Sequence, residues 1–311
     1  MNETHLIVGA GVVGSSLAEL LANDGKEVIV ATRSGTGPKH ANIKLVTADA
    51  SDVTSLLAVA PTAVAIYNCV NPPYHQWAKL WPPMAASFLA YAEKTGAVLV
   101  TCSNLYGYGP VDVPMTESLP LNATGVKGKV RADMWTQAKA MHDTGIIKAT
   151  EVRGSDYVSA GDQSRVGSRV LPKVLAGKPA QVLGAIDLKH TWTYPLDVAR
   201  LMKIVASDSR AWGKAWHVPS NEAKTQNEVV SELAAVGGVK NPKLSTVPNM
   251  IWNLLALFNP LLKALKETAY QFQRPYILDE SAARETFGMQ PTPWNQILNE
   301  VVAETRASLK K

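Results

Sequence analysis

A chain of 311 residues, 46% hydrophobic and 18% charged, is long enough to bury a sizeable core, and its mean hydropathy of −0.02 excludes a disordered polymer. The formal net charge of +5 comes from scattered basic residues, so it leaves no footprint of nucleic-acid binding and is compatible at most with a phosphate-bearing ligand. Cys69 and Cys102 each lie in an apolar run, which excludes a disulfide framework and a cysteine metal site and sets the expectation of a reducing, cytoplasmic compartment.

The elements are expected in an alternating order. His5 to Val8 reads as a first strand with no export signal before it, and a helix follows from Val12, carrying Leu17, Leu20 and Leu21 on one face and stopping at Gly25. Glu27 to Thr32, Ile43 to Thr47 and Ala63 to Asn68 read as the next three strands, the last two being apolar runs suited to a sheet covered on both faces. A helix from Trp77 to Lys94, a strand from Ala97 to Cys102, a loop rich in Gly and Pro, a helix from Lys127 to Asp143 and a strand from Ile147 to Val152 complete the pattern. This rhythm predicts a doubly wound parallel α/β sheet over residues 1–153.

Beyond Arg153 a smaller, mainly helical lobe is expected over residues 154–311, with segments near 185–220 returning to the sheet. Asp197 to Ala206 reads as a helix and Ala215 to Val218 as a strand, and Thr225 with Glu228 fits a capping box. Ile251 to Leu265 is the most apolar stretch. It contains Asn253, Asn259, Pro260 and Lys263 and falls short of the roughly 20 apolar residues of a span, so it is expected to be a buried helix broken at Pro260, with no membrane contact.

Gly9-Ala10-Gly11-Val12-Val13-Gly14 matches G-x-G-x-x-G between a strand and a helix, the setting in which such a loop cradles a pyrophosphate. The second strand ends in Thr32-Arg33-Ser34, where an NAD-selective site would carry an acidic residue. A guanidinium and a hydroxyl at Arg33 and Ser34 suit the 2′-phosphate of NADP(H), and Asp49, followed by Ala50, is placed to accept from the adenine amino group.

The glycine loop VGAGVVGSSL, VTADASD, YNCVNPPYHQW, VTCSNLYGYGP and HTWTYPLDVARL, in this order, resemble the short-chain dehydrogenase/reductases, in particular the extended or atypical branch described as NAD-dependent epimerase/dehydratase-like. The resemblance runs over most of the chain. It implies a nicotinamide cofactor over the C-terminal edge of the sheet, with Asn68 and Asn71 along its ribose, and a substrate between that edge and the C-terminal lobe. It also implies a catalytic Ser, matched by Ser103, and a Y-x-x-x-K on the next helix in which the phenol exchanges a proton.

That tyrosine is absent. Matching Lys129 to the family lysine puts Gly125 at the tyrosine position, and matching Lys127 puts Ala123 there; the nearest imitation elsewhere is Tyr270 to Arg274. Lost catalysis, a proton donor from a loop, or chemistry needing little acid assistance are the three explanations. The catalytic set read from the sequence is Ser103, Lys129 and Tyr106, and the substrate pocket is read as Asn104, Tyr108, Tyr157, Trp192 and Tyr194, with His190, Trp192 and Tyr194 alternating on one face. No residues have metal-ligand spacing. The function expected is NADPH-dependent reduction of an apolar small-molecule carbonyl, imine or activated alkene, with self-association into a homodimer allowed. The alternatives are a non-catalytic NADP-binding sensor or scaffold and an epimerase or dehydratase.

Overall fold

The computed structural model describes residues 3–310, which divide into two compact units. The first runs to Gly109 and includes Pro120–Gly154 and Val198–Val218. Its elements are β1 (Thr4–Val8), α1 (Val12–Asn23), β2 (Glu27–Thr32), β3 (Ile43–Thr47), α2 (Val53–Val59), β4 (Ala65–Asn68), α3 (Trp77–Thr95), β5 (Val98–Asn104), α4 (Val126–Asp143) and β6 (Lys148–Gly154), followed later in the chain by the strand Ala215–His217. All seven strands are parallel, in the order Ala215–His217, β6, β5, β4, β1, β2, β3. The order reverses between β4 and β1, so the loops after these two strands diverge and open a crevice at the carboxyl edge.

Of the two apolar runs expected to be covered on both faces, β4 is a central strand buried throughout, whereas β3 lies at the edge of the sheet, covered by one neighbour only, and has no buried residue. Leu6, Ile7, Ile66 and Tyr67 are fully buried in β1 and β4, and the core on one side continues through Phe88, Tyr91 and Ala92 of α3. β5 and β6 each run two residues beyond their sequence limits, which carries Ser103 and Arg153 into the ladder as register partners. Helix α1 stops before Gly25, whose φ of 78° reverses the chain at no steric cost.

The second unit comprises Pro110–Leu119, Ser155–Asp197 and the chain from Pro219. Two short parallel pairs, Asp156–Tyr157 with Trp192–Thr193 and Ala180–Val182 with Leu244–Thr246, accompany helices of which Gln226–Val236 and Trp294–Ser308 pack through Val229, Leu233, Ile297 and Val301. The Thr225 hydroxyl accepts from the Glu228 amide and the Glu228 carboxylate accepts from the Thr225 amide, which is the capping box the sequence predicts.

The stretch Ile251 to Leu265 departs from expectation. The break is where Pro260 puts it: one helix ends at Phe258, and Asn259 caps the next, Pro260–Lys266. Burial is not. Trp252 and Ala256, four residues apart, are buried, whereas Met250 and Phe258 are 81% and 84% exposed, so the helix is covered along a single stripe. No helix among the described residues is long and apolar enough to cross a membrane.

His5 in β1 is buried, with Nδ1 3.0 Å from the Tyr67 hydroxyl and Nε2 without a partner. Burial pushes its pKa from 6.5 down to about 4, so the folded protein holds it neutral. A histidine depressed in this way costs stability as pH falls through the unfolded value toward the folded one, on the order of 3 kcal/mol in full. Denaturant titrations between pH 6.5 and 4 are expected to show a steeper loss for the natural protein than for His5→Phe; parallel curves would contradict this.

Candidate active site

The loop after β1 is defined by two missing side chains. A Cβ at Gly9, whose φ is 101°, would lie 2.6 Å from the carbonyl oxygen of Cys69 at the end of β4, and one at Gly14 would lie 2.0 Å from the carbonyl oxygen of Gly9. The loop is thereby clamped against both β4 and α1. Gly11 is the N-cap of α1 and provides no side-chain cap, Gly11 and Val12 are exposed, and Val13 and Gly14 are buried. The first-turn N–H groups and the positive end of the helix thus face outward as a ready anion site.

At the end of β2, Arg33 and Ser34 are both exposed, and the Ser34 hydroxyl is 2.7 Å from that of Thr36. Asp49 accepts from the Ser51 amide at 2.9 Å and its hydroxyl at 2.7 Å. These bonds, with Arg33 adding its charge, hold its carboxyl below the usual range. Asp49 is therefore an ionised turn residue with its own partners beside Arg33, and Ala50 behind it is buried.

Past the switch point the edge is polar and buried. Asn68 accepts from the Val70 amide and turns the chain, while Asn71 is exposed. Ser103 is 4% exposed and its hydroxyl has no partner. An unsatisfied buried hydroxyl costs about 1–3 kcal/mol. Asn104 accepts from the Tyr106 amide, and Tyr106 is half-buried against Tyr74 and Trp77.

Tyr108 differs from expectation: it is buried, its hydroxyl accepts from Arg153 Nη1 at 2.6 Å and lies 2.7 Å from His217 Nε2. Arg153 Nε donates to Glu151 at 2.6 Å, both side chains being 3% exposed. Burial opposes the guanidinium charge, and Glu151 and Tyr108 more than offset it, so the pKa of Arg153 is raised. Tyr108 is an internal link of this network. Trp192 and Tyr194 are also buried. They lie in the core of the second unit, where the Trp192 indole donates to the Lys224 carbonyl and the Tyr194 hydroxyl to Glu300. Tyr157 is half-buried in that unit, its carbonyl bound by the Ser164 hydroxyl.

Helix α4 separates the two lysines. Lys129 is exposed and Gly125 is the helix N-cap; the inward face carries Lys127, Gly128, Arg131, Met134 and Ala138. Lys127 lies over the Tyr74 ring at 4.8 Å, and Arg131 over Trp77 and Trp81 at 4.7 and 4.3 Å. The sequence signal for this phase is Gly128. A Cβ there would lie 2.5 Å from the carbonyl oxygen of Tyr106, so position 128 must face the loop after β5.

A parallel sheet whose switch point carries a glycine-clamped, uncapped helix N-terminus defines a dinucleotide-binding domain of the Rossmann type. The model of the NAD dependent epimerase/dehydratase family matches residues 5–218, and the chain belongs to that family. The fold is shared with epimerase Mth375 from Methanothermobacter thermautotrophicus (TM-score 0.81, 16% identity, 99% of this chain and 94% of that one). It is also similar to UDP-glucose 4-epimerase from Thermotoga maritima (0.80, 17%, 98% and 99%). A third similar structure is the GalE-like L-threonine dehydrogenase from Cupriavidus necator (0.78, 18%, 98% and 99%). No curated protein sequence matches the chain. Among the described residues no cluster of His, Cys, Asp or Glu could hold a metal ion.

The clamp makes Gly14 a direct test of the nucleotide site. Because the clash at 2.0 Å is with backbone, Gly14→Ala must move the loop, and calorimetry is expected to show dinucleotide affinity at least tenfold weaker with the fold retained; unchanged affinity would place the nucleotide elsewhere.

Proposed function

We propose that the protein is an NADPH-dependent reductase of a small apolar carbonyl, imine or activated alkene, acting in the reducing compartment that its two cysteines, neither in a disulfide, suit. The observation that carries the reading is Arg33: an exposed guanidinium closes β2 where a ribose-binding carboxylate would otherwise stand, beside an anion site at α1. The residues present fit the cofactor. Backbone from Gly9, Gly11, Val12, Val13 and Gly14 would hold the pyrophosphate, Arg33 and Ser34 the 2′-phosphate, Asp49 and Ala50 the adenine side, and Asn68 and Asn71 the nicotinamide ribose. The cofactor, when bound, supplies the hydride.

What the chain itself contributes is orientation. The buried Ser103 hydroxyl would hydrogen-bond the heteroatom of the substrate and hold its carbon in line, gaining the partner it lacks. Tyr106, with Tyr74 and Trp77, would supply an aromatic wall that excludes water. A second reading, an epimerase or dehydratase, is favoured by the family itself. The two differ in stoichiometry, because a reductase consumes one NADPH per product and an epimerase returns its hydride.

Fluorescence titration tests the selector. NADPH is expected to bind more tightly than NADH, and Arg33→Ala to weaken NADPH by about 1.5–3 kcal/mol, the worth of a charge-assisted hydrogen bond, while leaving NADH unchanged. Equal affinities that Arg33→Ala does not move would overturn the assignment.

A further inference from the structure

The four most exposed large hydrophobic side chains among the described residues are Phe258, Met250, Leu257 and Leu254, at 84, 81, 75 and 59%, and all four belong to the helix Asn249–Phe258 of the second unit. Singly exposed apolar residues need no explanation, but a cluster on one face does. Met250, Leu254 and Phe258 recur every four residues and so share a face, with Leu257 at its border. Trp252 and Ala256, the buried residues of this helix, are two residues out of phase with them, about 200° around the axis. The covered stripe and the bare stripe therefore lie on opposite sides of the helix.

The helix is held in that attitude from both ends. Before it, the Lys243 carbonyl accepts from the Ala180 amide and the Val182 carbonyl from the Val247 amide, each at 2.9 Å, so the strand Leu244–Thr246 delivers the chain at a set place. After it, the Asn259 side chain caps the helix Pro260–Lys266 by accepting from the amides of Leu261 and Leu262. The buried Trp252 indole donates to the Leu262 carbonyl at 3.2 Å and ties the two helices together.

Charge decides the occupant. Between Glu232 and Glu267 the chain carries no acidic residue and four lysines, Lys240, Lys243, Lys263 and Lys266, all of them exposed. Two precede the apolar helix and two follow it, and Lys263 and Lys266, three residues apart, are neighbours on one face. A second copy docked through the same stripe would bring these lysines together across a two-fold axis, which opposes self-association. An anionic bilayer matches both features, because its acyl boundary takes up apolar side chains while its surface attracts ammonium groups. The helix has 10 residues and is about 15 Å long, a length suited to lying in the plane of the interface.

We propose that the two helices from Asn249 to Lys266 form a docking surface for the anionic face of a lipid bilayer, with Met250, Leu254, Leu257 and Phe258 entering between the headgroups and the four lysines pairing with lipid phosphates. The expectation that this stretch avoids a membrane rested on its burial, which the structure does not bear out. The docking surface belongs to the second unit and does not depend on the nucleotide chemistry proposed above.

Co-sedimentation of the full chain with vesicles is the test. Vesicles of phosphatidylcholine with about 30% phosphatidylglycerol are expected to hold the protein at least tenfold more tightly than phosphatidylcholine alone, and raising the salt from about 0.1 M to about 0.5 M is expected to weaken that binding severalfold. Leu257→Ser with Phe258→Ser, and separately Lys263→Gln with Lys266→Gln, are each expected to lower binding to the mixed vesicles at least fivefold. The substituted side chains are exposed or flank the exposed stripe, and the far-ultraviolet circular dichroism of both variants is expected to match the natural protein. Binding that survives the serine pair would be the attraction of a chain of net charge +5 for any anionic surface and would overturn the proposal. Absence of binding to either kind of vesicle would also overturn it, whether the protein then sediments as a monomer or as a dimer that the serine pair dissociates, the latter assigning the stripe to a second copy.

Discussion

The first unit is organised around a backbone approach that no side chain could share. With a Cβ at position 14 the helix would meet the Gly9 carbonyl at 2.0 Å, and with one at position 9 the loop would meet Cys69 at 2.6 Å. Because both are glycine, the end of β1, the start of α1 and the end of β4 converge at the point where the strand order reverses. Everything the site requires is placed relative to that convergence. The uncapped N–H groups of α1 face the crevice, Arg33 stands on one side of it and Ser103 on the other.

The far side of the crevice is held by buried charge. Glu151, Arg153, Tyr108 and His217 form a chain of hydrogen bonds across β6, the loop after β5 and the strand Ala215–His217. Such a network adds little net stability over an apolar core, but breaking a buried pair costs about 3–5 kcal/mol, so its geometry resists change. Ser103 is the register partner of Arg153, and its position is fixed by the same ladder.

The sheet was legible in the sequence because its central strands are buried on both faces and every strand is punctuated by turns: β2 and β3 end where their apolar runs end, although β3, at the edge of the sheet, has no buried residue. The glycine loop was legible because its spacing and its setting agree. Two features were not. Ile251 to Leu265 is apolar almost all round, and hydropathy cannot tell a helix that is covered from one that is merely apolar; only Trp252 and Ala256 are buried in its first segment. Helix α4 is so polar that Lys127 and Lys129 look alike in the sequence, and its phase is set by the tertiary contact of Gly128 with Tyr106. The alternating aromatics His190, Trp192 and Tyr194 were read by period alone. A period of two says that side chains share a face and is silent on whether that face meets a cavity or a core.

A crystal structure of the protein with NADPH bound tests the account most directly. The account predicts the pyrophosphate over the first turn of α1, the 2′-phosphate against Arg33, and the dihydronicotinamide ring over the ends of β4 and β5, in contact with the space that the Ser103 hydroxyl faces. A nucleotide bound in the reverse direction, with its phosphorylated ribose on the β4 and β5 side, or one bound away from the glycine loop, would contradict it.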